Sequence, residues 1–501
     1  MHFSWWLDGS IVGVYLLATM VAGIMVRKYV GKVEHFLIAG REMDVYLGIA
    51  SLAATEFGIV TCMYTAQLGY LHGFAGATPG ILNALAMFLV GYTGFCVKPL
   101  RDSGAMTIPE LFEKQFGSGV RWLAGVVIVL GGLLNMGVFL KVGGQFLVLS
   151  TGLNISYLKI TMTVLLLMVA VYTILGGMLS VLVTDFLQFV VMSVGLIAVT
   201  ILIFYNVGWE KLVATVQHEY GAGGFNPFVN PHLGWENVLS QLLINTAAVL
   251  TWQTTIARLL AAKDTKTGQQ VYTRTSFFFV CRFLIPGIWG IAALAMLTPE
   301  AFKALDIDPG MAQSKALFAM PIYLAQVVPM GLMGLMVAAM LAADMSTDSS
   351  YMLTWGSVIY NDILAPFHKR QWSEKKGLLW NRFIVAIIGV FLLFYGLWYE
   401  LSDSLWDYLT VTGTIYLSSM SILLIACCYW KKANNWGAYA AIVVGAVIPV
   451  LYLVLSKVDN SALQDAMKAW HFGPDGSKII AFAATAVVMV VGSMLKNAVR
   501  R

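Results

Sequence analysis

The sequence predicts an all-helical integral membrane protein, and three observations support that fold class. Of the 501 residues, 59% are hydrophobic and only 11% are charged, whereas soluble proteins are about 45 to 50% apolar and about 25% charged. Long apolar runs recur along the chain, and a membrane-spanning helix needs about 20 such residues. The runs contain interspersed glycines rather than the short alternating strands of a transmembrane barrel. We therefore expect the lipid bilayer to surround the protein and the function to reside within the membrane.

Apolar runs between charge clusters predict thirteen spans. They lie near residues 10–26, 45–71, 78–97, 122–151, 158–179, 181–206, 237–261, 275–298, 321–352, 379–399, 405–429, 436–456 and 479–495. The longest polar interval, 208–236, is shorter than the roughly 50 residues at which independent domains start. We therefore expect residues 1–501 to form a single transmembrane domain with no separate soluble catalytic part.

The distribution of basic residues predicts how the spans are oriented. Of the 31 lysines and arginines, 21 fall in one set of alternate loops, among them Arg258, and 7 fall in the opposite set, among them Lys478. Because cytoplasmic loops are the basic ones, the N-terminus is predicted outside and the C-terminus inside, in the cell (inner) membrane of a multi-pass protein. The net charge of +5 is thus explained by orientation, and no nucleic-acid partner is expected. Arg282 lies in a span near the cytoplasmic side and is given no role.

Two spans contain polar interruptions that predict broken helices. Residues 51–58 place Thr, Glu and Gly inside the second span. Residues 245–255 likewise place polar residues, here Asn, Thr and Gln, inside the seventh. Paired interruptions in corresponding halves indicate the inverted repeats of a secondary transporter. The repeats would cover 45–206 and 237–429, with a leading span at 10–26 and trailing spans at 436–495. Polar residues that merely mediate helix packing are the alternative.

Residues 342–350 place hydroxyls or carboxylates at nearly every position of a run that should face lipid or protein. Hydroxyls and the carbonyls of an unwound helix supply oxygen ligands for a small cation without burying several charges. Ser346 and Thr347 would form such a site if they faced the interrupted stretch 54–57. The alternative for each hydroxyl is a hydrogen bond to its own helix.

Four acidic residues fall within the spans, where a carboxylate costs about 2.5 to 3.5 kcal/mol on insertion scales. They are Glu56, Asp185, Asp344 and Asp348. Each is therefore a functional candidate, although Asp185 could instead cap a helix at the membrane interface. Glu56 could meet an ion, a cationic group of a solute or a proton. Lys141 extends outward to the interface, contacts a solute or pairs with an aspartate.

The energy source is predicted to be an ion gradient. The sequence lacks the G-x-x-x-x-G-K-[ST] motif of ATP-hydrolysing proteins, and none of its seven histidines falls inside a predicted span. A nucleophile, a base and an orienting group do not converge in the sequence, so an enzyme is not expected.

Four segments together resemble the sodium/solute symporter family, which includes bacterial proline, galactose and sialic acid symporters and animal glucose and choline transporters. They are HFLIAGREMDVYLGIASLAATEFG (35–58), YTILGGMLSVLVTDFLQF (172–189), WQTTIARLLAAKD (252–264) and AAMLAADMSTDSSYM (338–352). The resemblance extends over nearly the whole chain. It implies a leucine-transporter-like fold with five-plus-five inverted repeats.

The resemblance also implies binding residues, carried over position by position. A first sodium site would use the carbonyls of Ala54, Phe57 and Ala343 and the hydroxyls of Ser346 and Thr347. A second sodium site, present in some members, would use Asp185, Ser346, Ser349 and Ser350. The substrate cavity would involve Thr61, Tyr64, Gln67, Asn245 and Trp252, with Lys141 as a further candidate. Glu56 joins these solute candidates because of its own position at the first break. Glu56, Asp344 and Asp348 depart from the family pattern, which leaves sodium and proton coupling both open.

We therefore expect sodium-coupled symport of a small polar organic solute into the cell by alternating access, with the sodium ion as the bound cofactor. A proton-coupled symporter that uses the membrane carboxylates and a transporter-like solute sensor are the alternatives. Amino acids, sugars, carboxylates and quaternary amines all remain open as solutes, as does the oligomeric state.

Overall fold

A computed structural model describes residues 3–303, 312–367, 373–398 and 404–499. Helices dominate these residues, whose one isolated backbone bridge joins Met43 to Ala262. The first ten helices are α1 (Leu7–Val26), α2 (Val33–Ile38), α3 (Val45–Glu56), α4 (Ile59–His72), α5 (Thr78–Thr93), α6 (Val97–Asp102), α7 (Ile108–Phe116), α8 (Ser118–Met136), α9 (Phe139–Thr151) and α10 (Leu158–Val207).

The second half of the chain contributes twelve more helices. They are α11 (Trp209–Tyr220), α12 (Gly234–Thr251), α13 (Gln253–Ala261), α14 (Thr265–Met296), α15 (Pro299–Lys303), α16 (Ala312–Val327), α17 (Leu332–Val358), α18 (Glu374–Trp398), α19 (Leu405–Tyr429), α20 (Asn435–Leu455), α21 (Ser461–Ala469) and α22 (Pro474–Val499).

Within the described residues, nine stretches are long and apolar enough to cross a membrane. This finding confirms the all-helical, multi-pass fold class. Helices α12 and α17 are not among the nine, because their polar residues lower the mean hydropathy. The count of thirteen spans and the orientation of the termini stay predictions, and the expected end of the tenth span at residue 399 lies outside the described residues.

The first predicted interruption is a real break between α3 and α4. Helix α3 ends at Glu56, and Phe57 and Gly58 have extended or irregular backbone angles before α4 starts at Ile59. A glycine is needed at the break because a Cβ on Gly58 would lie 2.8 Å from the Thr347 Oγ1 atom. The break therefore brings the backbone of α3 and α4 against the polar helix α17.

The second predicted interruption lies between α12 and α13. Trp252 has φ −65° and ψ 119°, an extended conformation that separates the two helices. Its side chain thus projects from a break in the helix rather than from a regular turn. Each of the two polar interruptions seen in the sequence corresponds to a change of backbone conformation in the structure.

The ninth predicted span, 321–352, starts too early. The structure ends α16 at Val327 and starts α17 at Leu332, with Gly331 at φ 84° between them. The buried Asp8 side chain in α1 caps α17, because its Oδ1 atom accepts hydrogen bonds from the backbone N–H groups of Gly331 and Gly334, both at 2.7 Å. The sequence did not indicate the boundary between α16 and α17, because the residues on both sides of it are apolar.

Helix α10 contains the boundary between the fifth and sixth predicted spans. Gly177 has φ 54° and ψ −147°, which kinks the helix between the two spans. A Cβ at this position would lie 2.6 Å from the Phe36 carbonyl oxygen. Both the backbone angle and the close approach of Phe36 therefore require glycine.

Helix α17 is buried along nearly its whole length, from Met333 to Val358. It packs against α1, α3, α8, α9, α10 and α18. Its many polar side chains therefore face other helices rather than lipid. This position explains how a run as polar as 342–350 is accommodated at membrane depth.

Candidate functional site

The hydroxyl groups of α17 meet the broken end of α3. The Ser346 hydroxyl donates to the carbonyl oxygen of Ala54 at 2.8 Å, and the Thr347 hydroxyl donates to the carbonyl oxygen of Thr55 at 2.9 Å. These carbonyls belong to the last turn of α3, where the regular hydrogen bonds of the helix end. The break therefore exposes backbone oxygens directly opposite the two hydroxyls.

Both hydroxyls also reach the Ala343 carbonyl oxygen in their own helix. Ser346 lies 3.0 Å from it and Thr347 lies 2.9 Å from it. The hydrogen bonds to the same helix that were the alternative reading are thus present together with the contacts to α3. Three carbonyls and two hydroxyls converge, and Ala54, Ala343 and Ser346 are fully buried.

This oxygen set suits a small monovalent cation. Every donor is a neutral oxygen, so an ion would add one positive charge to a buried site without requiring several buried carboxylates. Each hydroxyl hydrogen can turn away and present a lone pair to the ion. Phe57, the remaining predicted contributor, is buried at the break itself, and its N–H lies 3.3 Å from the Ala54 oxygen.

The predicted second sodium site already contains a cationic side chain. The Asp185 Oδ2 atom accepts from Arg258 at 3.0 Å and from the Ser51 hydroxyl at 2.5 Å. Arg258 also donates to the Ser350 hydroxyl at 2.5 Å and to the Thr55 hydroxyl at 2.6 Å. Two of the predicted ligands, Asp185 and Ser350, are thus bonded to a guanidinium group.

One expectation about this region is therefore wrong, because Arg258 is fully buried in α13 and does not lie in a loop. Asp185 is likewise fully buried and lies within α10, not at either end of that helix, so the capping alternative does not apply. The other predicted ligand, Ser349, donates to the Ser346 carbonyl oxygen at 3.2 Å. A sodium ion placed beside the guanidinium would face like-charge repulsion in a buried environment.

A cavity of about 100 Å³ lies next to the hydroxyl site. Thr55 and Thr347 line it, so the candidate ion site and the cavity share a wall. Most of the predicted solute contacts also line it, namely Glu56, Thr61, Tyr64, Asn245 and Trp252. Gln67 and Lys141 are not among its lining residues.

An ion pair forms one wall of the cavity. The Glu56 Oε2 atom lies 3.1 Å from the Arg282 guanidinium, and its Oε1 atom accepts from the hydroxyls of Thr254 at 2.7 Å and Thr255 at 3.1 Å. Arg282 also donates to the Tyr64 hydroxyl at 2.8 Å. The expectation that Arg282 has no role is wrong, because it lines the cavity and neutralises Glu56.

Aromatic rings form much of the remaining wall. Trp252 donates to the Tyr351 hydroxyl at 3.1 Å, and the two rings are 5.8 Å apart in an edge-to-face arrangement. On another side Tyr64 and Trp406 are 4.7 Å apart, and Phe283 lies 5.5 Å from Trp406. Such rings offer apolar faces to a solute, and carboxamides complete the lining at Asn83, Asn135 and Asn245.

Asp344 and Asp348 lie outside the cavity lining. Each is 2% exposed, and the buried oxygens Asp344 Oδ2 and Asp348 Oδ1 have no hydrogen-bond partner among the described residues. A Cβ on Gly143 of α9 would lie 2.9 Å from an Asp344 oxygen, which places that carboxylate at the contact between α17 and α9.

A sequence model of the Sodium:solute symporter family matches residues 36–445. The chain belongs to this family. It is accordingly a sodium-using membrane transporter and not an enzyme. It is 25% identical over 481 residues to the osmoregulated proline transporter OpuE of Bacillus subtilis, covering 91% of this chain and 90% of that one. It is 26% identical over 489 residues to sodium/glucose cotransporter 4 of Danio rerio, covering 90% of this chain and 72% of that one.

A solved structure supports the fold of this symporter. The chain superimposes on a Na⁺-coupled sialic acid symporter, described in a substrate-bound outward-open state with a novel Na⁺ site, with a TM-score of 0.80. The alignment covers 98% of this chain and 97% of that one at 18% sequence identity. At this identity the likeness establishes the fold alone.

Proposed function

We propose that the protein couples sodium entry to the uptake of a small polar solute by alternating access. The observation that carries this proposal is the position of Thr55 and Thr347, which belong both to the oxygen cluster at the α3 break and to the wall of the cavity. An ion bound between the Ala54, Phe57 and Ala343 carbonyls and the Ser346 and Thr347 hydroxyls would fix α3 against α17. That contact would shape the adjoining cavity for the solute.

The solute is proposed to carry no net charge. Glu56 and Arg282 already neutralise each other at the cavity wall. A solute with one uncompensated charge would have to displace a partner, and breaking a buried ion pair costs about 3–5 kcal/mol. An uncharged solute leaves the pair intact and can use the aromatic faces and the carboxamides.

For this mechanism we propose the expected five-plus-five plan. Residues 45–206 and 237–429 would form the two inverted repeats, with the N-terminus outside and the C-terminus inside the cell (inner) membrane. One sodium site is proposed, because Arg258 already bonds two of the ligands expected for a second site. Gln67 and Lys141 stay predictions.

The test is uptake into proteoliposomes under an imposed inward sodium gradient. The panel should pair solutes without net charge, such as sugars, polyols and zwitterionic amino acids, with carboxylates and quaternary amines of similar size. We expect accumulation of an uncharged compound that requires sodium. Accumulation confined to a charged compound would contradict the proposed solute class, and accumulation of any compound without sodium would contradict the coupling.

Proton coupling is the second candidate, and Asp344 and Asp348 favour it. Two carboxylates one helical turn apart each bury an oxygen without a hydrogen-bond donor among the described residues, which is costly unless a proton or a cation binds there. Uptake driven by a pH step in sodium-free buffer, and abolished in Asp344→Asn or Asp348→Asn, would support this candidate. Unchanged sodium-driven uptake in both variants would remove it.

A further inference from the structure

The trailing helix α22 carries a fully buried lysine. Lys478 is 0% exposed, so its expected place in an outer loop is wrong. Its ammonium group lies 2.9 Å from the Asp475 Oδ1 atom and donates to the Thr410 hydroxyl at 3.1 Å. A buried ammonium needs such partners because its desolvation is costly. The first turn of α22 is therefore bonded directly to α19.

The same cluster reaches α12. The Asp475 carboxylate accepts from the Asn237 side chain at 3.0 Å and also from the Ser240 hydroxyl. Both residues lie in the first two turns of α12. This ion pair on α22, in which Lys478 is fully buried and Asp475 is partly exposed, thus joins the starts of α12 and α19, which are far apart in the sequence.

Both of those helices continue to the cavity. Helix α12 leads to Asn245 and ends at the Trp252 break, and α19 contributes Thr410 and Gly413. Thr410 is bonded by Lys478 and lines the cavity at the same time. Lys478 itself is not a lining residue, so it can act on the cavity only through Thr410 and the helices that it joins.

We propose that Lys478 is a positioning residue that fixes the wall of the cavity formed by α12 and α19. The trailing helix, which lies outside both proposed repeats, thereby controls how far the start of α19 can move away from α12. The inference rests on the proposed function only in calling the cavity a solute site.

The test measures access to the cavity with a thiol reagent and needs no knowledge of the solute. A cysteine at Gly413 would report on the lining, since a Cβ there meets only ordinary contacts, the nearest at 3.4 Å. The background would lack the five native cysteines. A membrane-impermeant maleimide is the probe, and Lys478→Met is compared with the control Lys468→Met, an exposed lysine of α21.

We expect Lys478→Met to accelerate labelling at position 413 by about tenfold or more, since tenfold is the low end of the factor for losing one hydrogen bond to a charged group. Lys468→Met should label at the parental rate. An unchanged rate in folded Lys478→Met would overturn the proposal.

A double variant separates positioning from folding. Lys478→Met alone leaves the partly exposed Asp475 carboxylate without its cation, whereas Lys478→Met with Asp475→Asn removes both charges, a change that is often neutral for stability. The double variant should unfold near the parental temperature yet still label faster. Parental labelling in the folded double variant would also overturn the proposal. The same labelling rates are measured with and without sodium. If sodium changes the rate in none of the variants, the proposed sodium coupling is contradicted, but the effect of Lys478→Met is still measured.

Discussion

Removing the hydroxyl of Ser346 or Thr347 is expected to weaken sodium binding by a calculable amount. An oxygen that contacts an ion contributes about as much as a hydrogen bond to a charged group, about 1.5–3 kcal/mol. The same hydroxyl donates to a carbonyl of α3, at 2.8 Å from Ser346 and 2.9 Å from Thr347, and a bound ion would replace this bond. That bond contributes about 0.5–1.5 kcal/mol and is lost in the variant as well.

The expected change in affinity is the difference between the energy of the ion contact and the energy of the hydrogen bond. Subtracting the hydrogen bond from the ion contact leaves about 1–1.5 kcal/mol, or roughly a five- to tenfold weaker affinity for each alanine variant. Binding of radiolabelled sodium to purified protein would measure it. Ser357→Ala is the matched control, because among the described residues that buried hydroxyl of α17 bonds only to its own helix, at the Thr354 oxygen (2.7 Å).

The outcome that would refute this reasoning is specific. If both Ser346→Ala and Thr347→Ala bound sodium within twofold of the parent, neither hydroxyl could be a ligand. A loss of affinity equal to that of Ser357→Ala would point instead to general loosening of α17. Thermal unfolding of each variant distinguishes a local effect on the ion from a change in overall stability.

Three further predictions concern the surroundings of this site. Glu56→Gln should lower the free energy of unfolding by about 3–5 kcal/mol because it leaves Arg282 without its carboxylate partner. In denaturant titrations the double variant Glu56→Gln/Arg282→Gln should recover most of this stability. No recovery would argue against the ion pair. Gly58→Ala should weaken sodium binding at least as much as loss of the Thr347 hydroxyl, since its Cβ would lie 2.8 Å from that oxygen, and parental affinity would contradict the tight fit. Asp8→Ala should reduce stability by about 1–2 kcal/mol through loss of a helix cap, measured by thermal unfolding, and an unchanged transition would show that the cap contributes nothing.

The sequence was informative where polarity interrupts an apolar run. The interruptions at 51–58 and 245–255 coincide with the breaks at Phe57 and Trp252, and the hydroxyls of Ser346 and Thr347 lie opposite the first break. A polar group in a span must have a structural reason, so its position carries information. The start of α17 gave no such signal, because apolar residues lie on both sides of Gly331.

The missed residues share one physical cause. Arg258, Arg282 and Lys478 were treated as loop or interface charges, since basic residues near span ends normally extend to water. Whether they do so depends on partners far away in sequence, such as Asp185 for Arg258 and Glu56 for Arg282. Only the packing of helices reveals these pairs. A usable signal existed for Arg282, whose neighbours in FFFVCRFLIP are apolar on both sides.

The most direct test of the central claim is to locate the ion. Thallium can stand in for a monovalent alkali cation and is visible by its anomalous scattering in a crystal of the protein. We predict a peak between the carbonyls of Ala54 and Ala343 and the hydroxyls of Ser346 and Thr347, which sodium removes by competition. A peak at Asp344 and Asp348 instead, or none beside the α3 break, would contradict the proposed ion site.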